Sequence, residues 1–477
     1  MRRHGVNSIG ENHLHISRHW LIIGLVAVAM AGITSVSKAE GPRVIIKGTW
    51  YELPNTRIRD VLPDPSGYPI DPLTGAALWN PVSIVDYSGG VQIPGEREVV
   101  VDGGGHHEYP GNEKYAVPYD GRPVSRIGMP SIYTVDGSTH ETYPDGRPAQ
   151  RHTTDSMVLI PEFNAIFKSG GGLWQGGWAT AAAWLFYLDT QQDERLPDYP
   201  PGDYGAASLA SVAKWHPGLK KVIVRGRNHI ARYDPFAKTW EQKAQASWNE
   251  SEMTGILDTK RNRLVSIGHG RSEVWDLGTW QPIYDSEADE GPIPFSGPIF
   301  HDVFGPGFVY DEIDDQYIGW SWETPSMLYF VNPDTWAITA ATMAGTPPGP
   351  PGRTSGTFGR FVRVNDPFDG VVVIPSIDGN AFKVVFDRQV PPPVDTVTIL
   401  KAVFRNRRSV LIVEATSTAA PAAKLFVTVP GCVTDAPMQY KSKTGHYRLR
   451  TGSCQGLDGQ VATVTSSFGG SDAKVIH

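Results

Sequence analysis

The densest set of reactive side chains in this sequence lies between Gly103 and Asn112. The stretch reads Gly-Gly-Gly-His-His-Glu-Tyr-Pro-Gly-Asn. His106 and His107 titrate near neutral pH, so they can exchange a proton with a substrate or bind a divalent metal ion. The mixed donors do not select among Zn²⁺, Mn²⁺ and Ca²⁺, so the cofactor is left open. An equally good interpretation is a glycine-rich turn in which the histidines only cap the backbone.

Other polar and aromatic side chains follow apolar segments, at positions where loops are expected. The predicted catalytic residues are His107, His152, Tyr109 and Arg151. The predicted ligand-binding residues are His106, Asn112, Trp174, His229, His269, Arg271, His301, Trp322 and Arg360. Arginine clamps carboxylates bidentately, although a solvated or salt-bridged arginine is the commoner outcome. Polar residues also gather in loops that carry no site, which is the alternative for the whole set.

The composition of the 477 residues excludes several classes of protein. The chain is 40% hydrophobic and 10% aromatic, which is typical of a folded globular protein. It contains 51 glycines and 39 prolines, which favours many short strands joined by tight turns. A net charge of −7 argues against a nucleic-acid partner. The sequence also contains no nucleophile elbow, no phosphate-binding loop and no His-Glu-x-x-His helix.

A repeated pattern must position the candidate residues. An apolar strand runs into a glycine-bearing turn, and an aromatic strand that ends in Asp or Asn follows. The pattern occurs six times, beginning at residues 98, 165, 221, 263, 316 and 370. Four of the five spacings between these starts, 42–56 residues, are those of a four-stranded propeller blade, and the first is longer at 67 residues. The last unit lacks its outermost strand, and we expect the segment around Trp50 to supply it and close the ring.

These repeats resemble the kelch-repeat propellers, the superfamily that includes galactose oxidase. The resemblance covers residues 45–390, and the glycines at 103–105 and 170–172 carry its most typical turns. It implies an all-β fold with six blades, or seven as the alternative. It also implies that the loops holding the candidates open on one face, where six of the 14 histidines then fall. The copper radical site of galactose oxidase requires a propeller cysteine, but Cys432 and Cys454 both lie beyond Pro393.

The carboxy-terminal part differs in pattern from the repeats. Residues 391–394 form a proline-rich linker, and residues 395–477 contain alternating strands without the propeller spacing. Their number and length predict an immunoglobulin-like β-sandwich. We expect Cys432 and Cys454 to form its disulfide, since no third cysteine competes. The sandwich is basic and the propeller acidic, which favours packing between the two domains or merely reflects surface variation.

The amino terminus resembles an export signal. Basic residues precede an uncharged apolar run, Trp20 to Ile33, and the small-x-small sequence at Ser37-Lys38-Ala39 follows it. We therefore predict a signal peptide over residues 1–39 and a propeller over residues 40–390. The predicted location is secreted or periplasmic, with no membrane span after cleavage. An uncleaved membrane anchor is the alternative.

Two functions compete at this stage. The first is a binding or interaction module of the cell envelope that holds a carbohydrate or protein ligand on one propeller face. The second is a carbohydrate-active enzyme, in particular a uronate-polysaccharide lyase. In a lyase, arginine or a metal neutralises the carboxylate while histidine or tyrosine removes a proton. Trp174, Trp178 and Trp322 are the candidate stacking platforms for a sugar ring. By contrast, the charged hairpins at residues 258–262 and 311–315 are expected to serve solubility.

Overall fold

The described strands form eight small sheets, six of them in the repeat region, and nearly all of their strand pairings are antiparallel. The computed structural model describes residues 45–64, 79–105, 109–132, 138–200, 212–226, 228–246, 253–285, 295–349, 356–388, 396–406, 409–418, 420–421, 423–452, 454–466 and 470–477. All of these residues belong to one compact unit, Gly41–His477. The predicted signal peptide, His106, His107 and the proline-rich linker lie outside the described residues. Within the described residues, no helix is long and apolar enough to cross a membrane.

Six sheets are formed by the repeats and by the first strand of the chain, β1 (Gly48–Leu53). Sheet 1 contains β2 (Gly90–Ile93), β3 (Glu98–Val101), β4 (Lys114–Pro118) and β5 (Ser125–Ile127). Sheet 2 contains β6 (Met157–Ile160), β7 (Ala165–Ser169), β8 (Ala183–Tyr187) and β9 (Gln192–Arg195). Sheet 3 contains β10 (Val212–His216), β11 (Lys221–Arg225), β12 (His229–Asp234) and β13 (Thr239–Gln245).

The next two sheets repeat this order of four consecutive strands. Sheet 4 contains β14 (Thr254–Asp258), β15 (Arg263–Gly268), β16 (Arg271–Asp276) and β17 (Gln281–Asp285). Sheet 5 contains β18 (Gly307–Asp311), β19 (Gln316–Trp320), β20 (Met327–Val331) and β21 (Ile338–Thr342). The described 3₁₀ helices are short and precede or follow strands; they are Ile58–Val61, Pro81–Ile84, Pro94–Glu96, Pro161–Phe163 and Phe358–Arg360.

Sheet 6 joins the two ends of the repeat region. Its order is β22-β1-β25-β24-β23, where β22 is Ala344–Gly345, β23 is Phe361–Val364, β24 is Gly370–Val373 and β25 is Ala381–Phe386. β1 pairs antiparallel with β25, and Trp50 stands opposite Val384. The predicted pairing of Trp50 with residues 370–387 is therefore confirmed.

The first strands of the six sheets touch one another in a closed cycle. β2 contacts β6, β6 contacts β10, β10 contacts β14, β14 contacts β18, β18 contacts β23, and β23 contacts β2. Six apolar clusters fill the spaces between neighbouring sheets, and each cluster takes residues from two adjacent sheets. Both faces of each sheet are therefore packed, which explains why consecutive residues such as Val99, Val100 and Val101 are all buried.

Two further sheets form the carboxy-terminal part. Sheet 7 has the order β26-β27-β31-β30, with β26 at Val397–Arg405, β27 at Val410–Ser417, β30 at Gln439–Lys441 and β31 at His446–Thr451. Sheet 8 has the order β29-β28-β32-β33, with β28 at Leu425–Val429, β29 at Val433–Pro437, β32 at Val461–Ser466 and β33 at Ser471–Val475. One apolar cluster contains residues of both sheets. The predicted disulfide is confirmed, since Cys432 and Cys454 are bonded with their Cα atoms 5.2 Å apart.

Candidate functional site

Four aromatic and imidazole rings form a continuous row across the ends of several sheets. Tyr87 stacks on His152 with ring centroids 5.2 Å apart. Tyr87 also contacts the ring of Phe304 edge-on at 6.1 Å, and Phe304 contacts His269 at 4.4 Å. The row therefore runs His152, Tyr87, Phe304, His269, and we call it the ring row.

The strand order explains why these residues meet. Tyr87, His152 and Phe304 precede the first strands of sheets 1, 2 and 5, whereas His269 follows the second strand of sheet 4. In an antiparallel sheet, the start of the first strand and the end of the second lie at the same end. We call this the upper end of each sheet. The candidates at residues 102–105, 109–113, 151–156 and 321–326 belong to upper-end segments by the same rule.

Backbone hydrogen bonds fix the loops that carry the ring row. The amide of Thr154 donates to the carbonyl of Tyr87 at 2.8 Å, and the amide of His269 donates to the carbonyl of Val303 at 2.8 Å. His269 and Gly270 form the turn between β15 and β16 with φ angles of 52° and 71°. Two positive φ angles define a tight hairpin turn of the kind that favours glycine at its second position. This turn directs the His269 ring towards Phe304.

The ring row is partly accessible to solvent. Tyr87 and Phe304 are half-buried, His269 is exposed and His152 is buried. Tyr87 and the two histidines each combine an apolar ring face with a polar edge, whereas Phe304 presents an apolar ring. Such a surface can stack against a flat apolar face of a ligand and hydrogen-bond to its rim.

A cavity lies where the six first strands meet. Its volume is about 470 Å³, and its wall contains residues of β2, β6, β10, β14, β18 and β23. Asp155 lies at its upper end. The Asp155 carboxylate accepts a hydrogen bond from the Lys214 ammonium at 2.8 Å and another from the Gly255 amide at 2.7 Å. Burial raises the pKa of Asp155, although Lys214 opposes the effect.

Arg151, predicted as a catalytic residue, is fully buried. Its guanidinium donates to the carbonyls of Ala149 at 3.2 Å, Ala182 at 3.3 Å, and both Gly170 and Glu141 at 3.4 Å. Burial lowers its pKa to about 10. Arg151 therefore ties the loop before β6 to the connection between β7 and β8.

Arg360, predicted as a ligand-binding residue, has the same kind of environment. It is 2% exposed, and its guanidinium donates to the carbonyls of Ser88 and Val85, both at 2.9 Å. It also bonds the carbonyl of Ile374. Burial lowers the pKa of Arg360 to about 10. Arg360 therefore ties the loop that carries Tyr87 to the segment before β23.

Tyr109 and Asn112 lie in buried hydrogen-bond networks. The hydroxyl of Tyr109 donates to the carboxyl group of Glu113, which also accepts from Tyr115 at 2.5 Å. Burial raises the pKa of Glu113, and the two tyrosines oppose the effect. The Asn112 side chain bonds both the hydroxyl and the amide of Ser131, at 2.8 and 2.9 Å. These contacts anchor the loop that follows β3.

The remaining predicted residues are dispersed over the upper end. His301 is 3% exposed and packs between Phe295 and Phe300, and burial lowers its pKa. Trp174 and His229 are buried, while Arg271 and Trp322 are half-buried. Trp178, by contrast, is 71% exposed. The structure thus brings together His152 and His269 among the predicted histidines, and it adds Tyr87 and Phe304.

Tyr87 and Phe304 were not singled out by the sequence analysis. A usable signal was present, because each precedes the glycines at the start of a first strand, in Tyr87-Ser88-Gly89-Gly90 and Phe304-Gly305-Pro306-Gly307. Among the described residues, no group of three His, Cys, Asp or Glu side chains is arranged to hold a metal ion. His106 and His107, which lie outside the described residues, are not covered by this statement.

No protein-family model matches the chain, and no curated protein is significantly similar to it. What the ring row does must therefore be inferred from its geometry and chemistry.

Proposed function

We propose that residues 45–388 form a six-bladed β-propeller of the kelch type and that residues 396–477 form an immunoglobulin-like β-sandwich. The closed cycle of contacts among six first strands supports the propeller. The pairing of β1 with β25 supports it as well, since it joins the two ends of the repeat region in one sheet. Sheets 7 and 8 share one apolar core, which is the arrangement of a sandwich.

The protein is proposed to act outside the cytoplasm. The amino-terminal sequence pattern supports export. The Cys432–Cys454 disulfide is compatible with an oxidising compartment.

The proposed function is the binding of a carbohydrate ligand at the upper end. The observation that carries this proposal is the ring row, in which four rings from four sheets form one partly exposed strip. A sugar ring has an apolar face and a rim of hydroxyls, so the ring faces of Tyr87 and Phe304 together with the polar edges of Tyr87 and His269 match its chemistry. Trp178, exposed in the connection between β7 and β8, offers a further ring at the same end.

Binding fits the geometry better than uronate-lyase chemistry. A lyase needs a cation that can reach the substrate carboxylate and stabilise the charge that develops there. Arg151 and Arg360 are buried and donate to backbone carbonyls. Their guanidinium groups therefore organise loops, which leaves the half-buried Arg271 as the one predicted arginine for that role.

A glycan screen with ring-row variants tests the proposal. Phe304→Ala and His269→Ala should each weaken binding of a hit glycan about tenfold, because each removes one stacking surface. The matched control is Phe236→Ala, which removes an exposed ring from the opposite end of sheet 3. Affinity is measured by isothermal titration calorimetry at constant pH.

The proposal fails if no glycan binds across a broad panel. It fails equally if a hit glycan binds Phe304→Ala and His269→Ala as tightly as the unmodified protein. Circular dichroism and the thermal midpoint show whether each variant is folded, so that a loss of binding can be assigned to the missing ring.

A further inference from the structure

Sheet 7 concentrates positive charge on one of its faces. Its four strands contain one acidic residue, Glu414, and five basic residues, Lys401, Arg405, Lys441, Arg448 and Arg450. His446 lies on the same strands. We call the surface formed by the five basic residues the basic face.

The strand register places all five on the side away from the sandwich core. Leu411, Val413 and Tyr447 point into the core that sheets 7 and 8 share. Since side chains alternate along a strand, the residues between them point outward. The pairing Lys401↔Glu414↔Arg448↔Gln439 forms one outward row across the four strands. Arg450, Arg405 and Lys441 occupy outward positions by the same alternation.

Little negative charge offsets the basic face. The carboxylate of Glu414 lies 3.3 Å from Arg448, and the side chain of Arg448 is still 41% exposed. Lys401, Arg405, Lys441 and Arg450 are exposed. The acidic residues described on the strands of sheet 8, Asp435 and Asp472, belong to β29 and β33. The five cations thus lie on the strands of sheet 7, whereas these two acidic residues lie on the strands of sheet 8.

The basic composition of the sandwich had two interpretations, packing against the acidic propeller or surface variation. The exposure of the basic face decides between them. Had the charge served to pack this sheet against acidic residues, its ammonium and guanidinium groups would be buried in ion pairs. In the described residues, the ion pair formed by the basic face is that between Arg448 and Glu414. The remaining cations are therefore available to an external anion.

The spacing of the cations suits a polymer with repeated anionic groups. Arg448 and Arg450 are two residues apart on one strand, a separation of roughly 7 Å, and neighbouring strands are about 4.8 Å apart. A linear chain laid over the sheet therefore meets a cation at several successive positions. Arginine pairs with carboxylate and sulfate-like groups through two parallel hydrogen bonds.

The other residues of the basic face disfavour membranes and nucleic acids. Ile412, the outward residue at the centre of β27, is 3% exposed, and Leu400 on β26 is the exposed large apolar side chain of these strands at 43%, so little apolar surface is offered to a lipid layer. Tyr440 packs on Tyr447 with ring centroids 5.0 Å apart, beside the core. The outward ring on the described residues of these strands is thus the half-buried imidazole of His446, which offers little stacking surface to nucleobases.

We propose that the basic face binds a linear acidic polysaccharide through its carboxylate or sulfate groups. This site is separate from the ring row and does not depend on it. The ring row would hold an uncharged part of a glycan by stacking, whereas the basic face recognises charge.

Binding of polygalacturonate, dextran sulfate and neutral dextran to the full chain tests the proposal. We expect the two anionic polymers to bind and neutral dextran not to bind. Affinity should fall about tenfold or more between roughly 50 mM and 300 mM NaCl, because salt competes with charge pairing. Lys401→Gln/Arg450→Gln should reduce affinity at low salt about tenfold or more.

The matched control is Lys47→Gln/Lys424→Gln, which changes the net charge by the same amount at exposed positions outside the basic face. This control should bind as the unmodified protein does. Phe304→Ala should also retain the anionic polymers, which separates this site from the ring row. If Lys401→Gln/Arg450→Gln does not fold, Lys441→Gln on the exposed edge strand β30 replaces it with a smaller expected loss.

Three results would overturn the proposal. The first is equal affinity of the basic-face variant and the control variant for both anionic polymers. The second is equal binding of neutral dextran. The third is binding to vesicles of phosphatidylcholine and phosphatidylserine without binding to either anionic polymer, which would identify a lipid surface instead.

Discussion

Replacing Asp102 by asparagine tests how a buried charge cluster supports the upper end of sheets 1 and 2. Asp102 follows β3 directly and is fully buried. Its carboxylate accepts a hydrogen bond from the ammonium of Lys168 at 2.8 Å and lies 3.6 Å from that of Lys114. Burial by itself would raise the pKa of Asp102, but the two ammonium groups outweigh burial and hold the pKa at about 2.

The size of the effect follows from this pKa. The difference between 3.8 in the unfolded chain and about 2 in the folded chain corresponds to roughly 2–3 kcal/mol of stability. Asparagine also leaves the ammonium of Lys168 buried without its anion, and breaking such a pair costs about 3–5 kcal/mol. We therefore expect Asp102→Asn to lower the free energy of unfolding by about 3–4 kcal/mol at pH 7.

The same pKa fixes the pH dependence. Because the folded pKa lies below the unfolded one, the stabilisation is fully present above about pH 4. It is lost as the pH falls from about 4 towards 2. The unmodified protein should therefore lose stability more steeply in this window than Asp102→Asn does.

Urea unfolding followed by tryptophan fluorescence measures the change. The matched control is Asp378→Asn, whose carboxylate pairs with Arg59 at 2.6 Å but is 55% exposed, so its loss should be below about 1 kcal/mol. Asp102→Asn/Lys168→Met should recover part of the loss, since it removes the unpaired ammonium. The reasoning is refuted if Asp102→Asn and Asp378→Asn destabilise the protein equally.

Three further predictions concern other parts of the molecule. Cys432→Ser/Cys454→Ser should lower the stability of the sandwich by about 3 kcal/mol, as judged by thermal unfolding. Thiol titration of the unmodified protein, oxidised and then unfolded, should find no free thiol. Burial lowers the pKa of His301, so the unfolded chain binds a proton at a higher pH than the folded chain does. The stability should therefore fall as the pH drops below about 6.5. His301→Phe should flatten that part of a plot of thermal midpoint against pH. Arg388→Gln should lower the stability by about 1.5–3 kcal/mol in urea unfolding, since it removes ion pairs to Asp311, Asp314 and Asp369, and an unchanged unfolding midpoint would show that these pairs contribute nothing.

The strands of sheets 1 to 6 could be predicted because their residues repeat a local pattern. Apolar runs such as Val99 to Val101 and Ile166 to Phe167 are buried between neighbouring sheets, so the chemistry of each strand is visible in its own residues. Edge strands were harder to predict from the sequence. β9 reads Gln-Asp-Glu-Arg and contains no apolar residue, so no apolar alternation distinguishes it from a loop.

The position of Trp50 was predictable for a topological reason. The last repeat lacked an outer strand, and an unpaired sheet edge requires a partner. The disulfide was predictable because two cysteines allow one pairing. In both cases the sequence offered a single partner: one segment for the missing strand and one cysteine for the other cysteine.

The roles of individual polar residues depended on the tertiary structure. Arg151 and Arg360 have the chemistry of ligand clamps, yet both are buried and donate to backbone carbonyls, Arg151 to Ala182 near its own sheet and Arg360 to Ser88, which is distant in sequence. Likewise, the hairpins expected to serve solubility are linked by Arg261, which lies 2.7 Å from Asp315 and 3.1 Å from Asp258. Partners such as Ser88 for Arg360 and Asp315 for Arg261 come from other repeats, and no local pattern specifies them.

The amino-acid sequence by itself determined that this chain is all-β, that its first strand completes the last repeat and that its two cysteines pair. Those features follow from periodicity and from counting, which are properties of the chain alone. The tertiary structure decided that Tyr87, His152, Phe304 and His269 form one strip, and that five cations share one face of sheet 7. Such sets arise only when separate segments fold together, because ring contacts and cross-strand rows join residues that are far apart in the sequence.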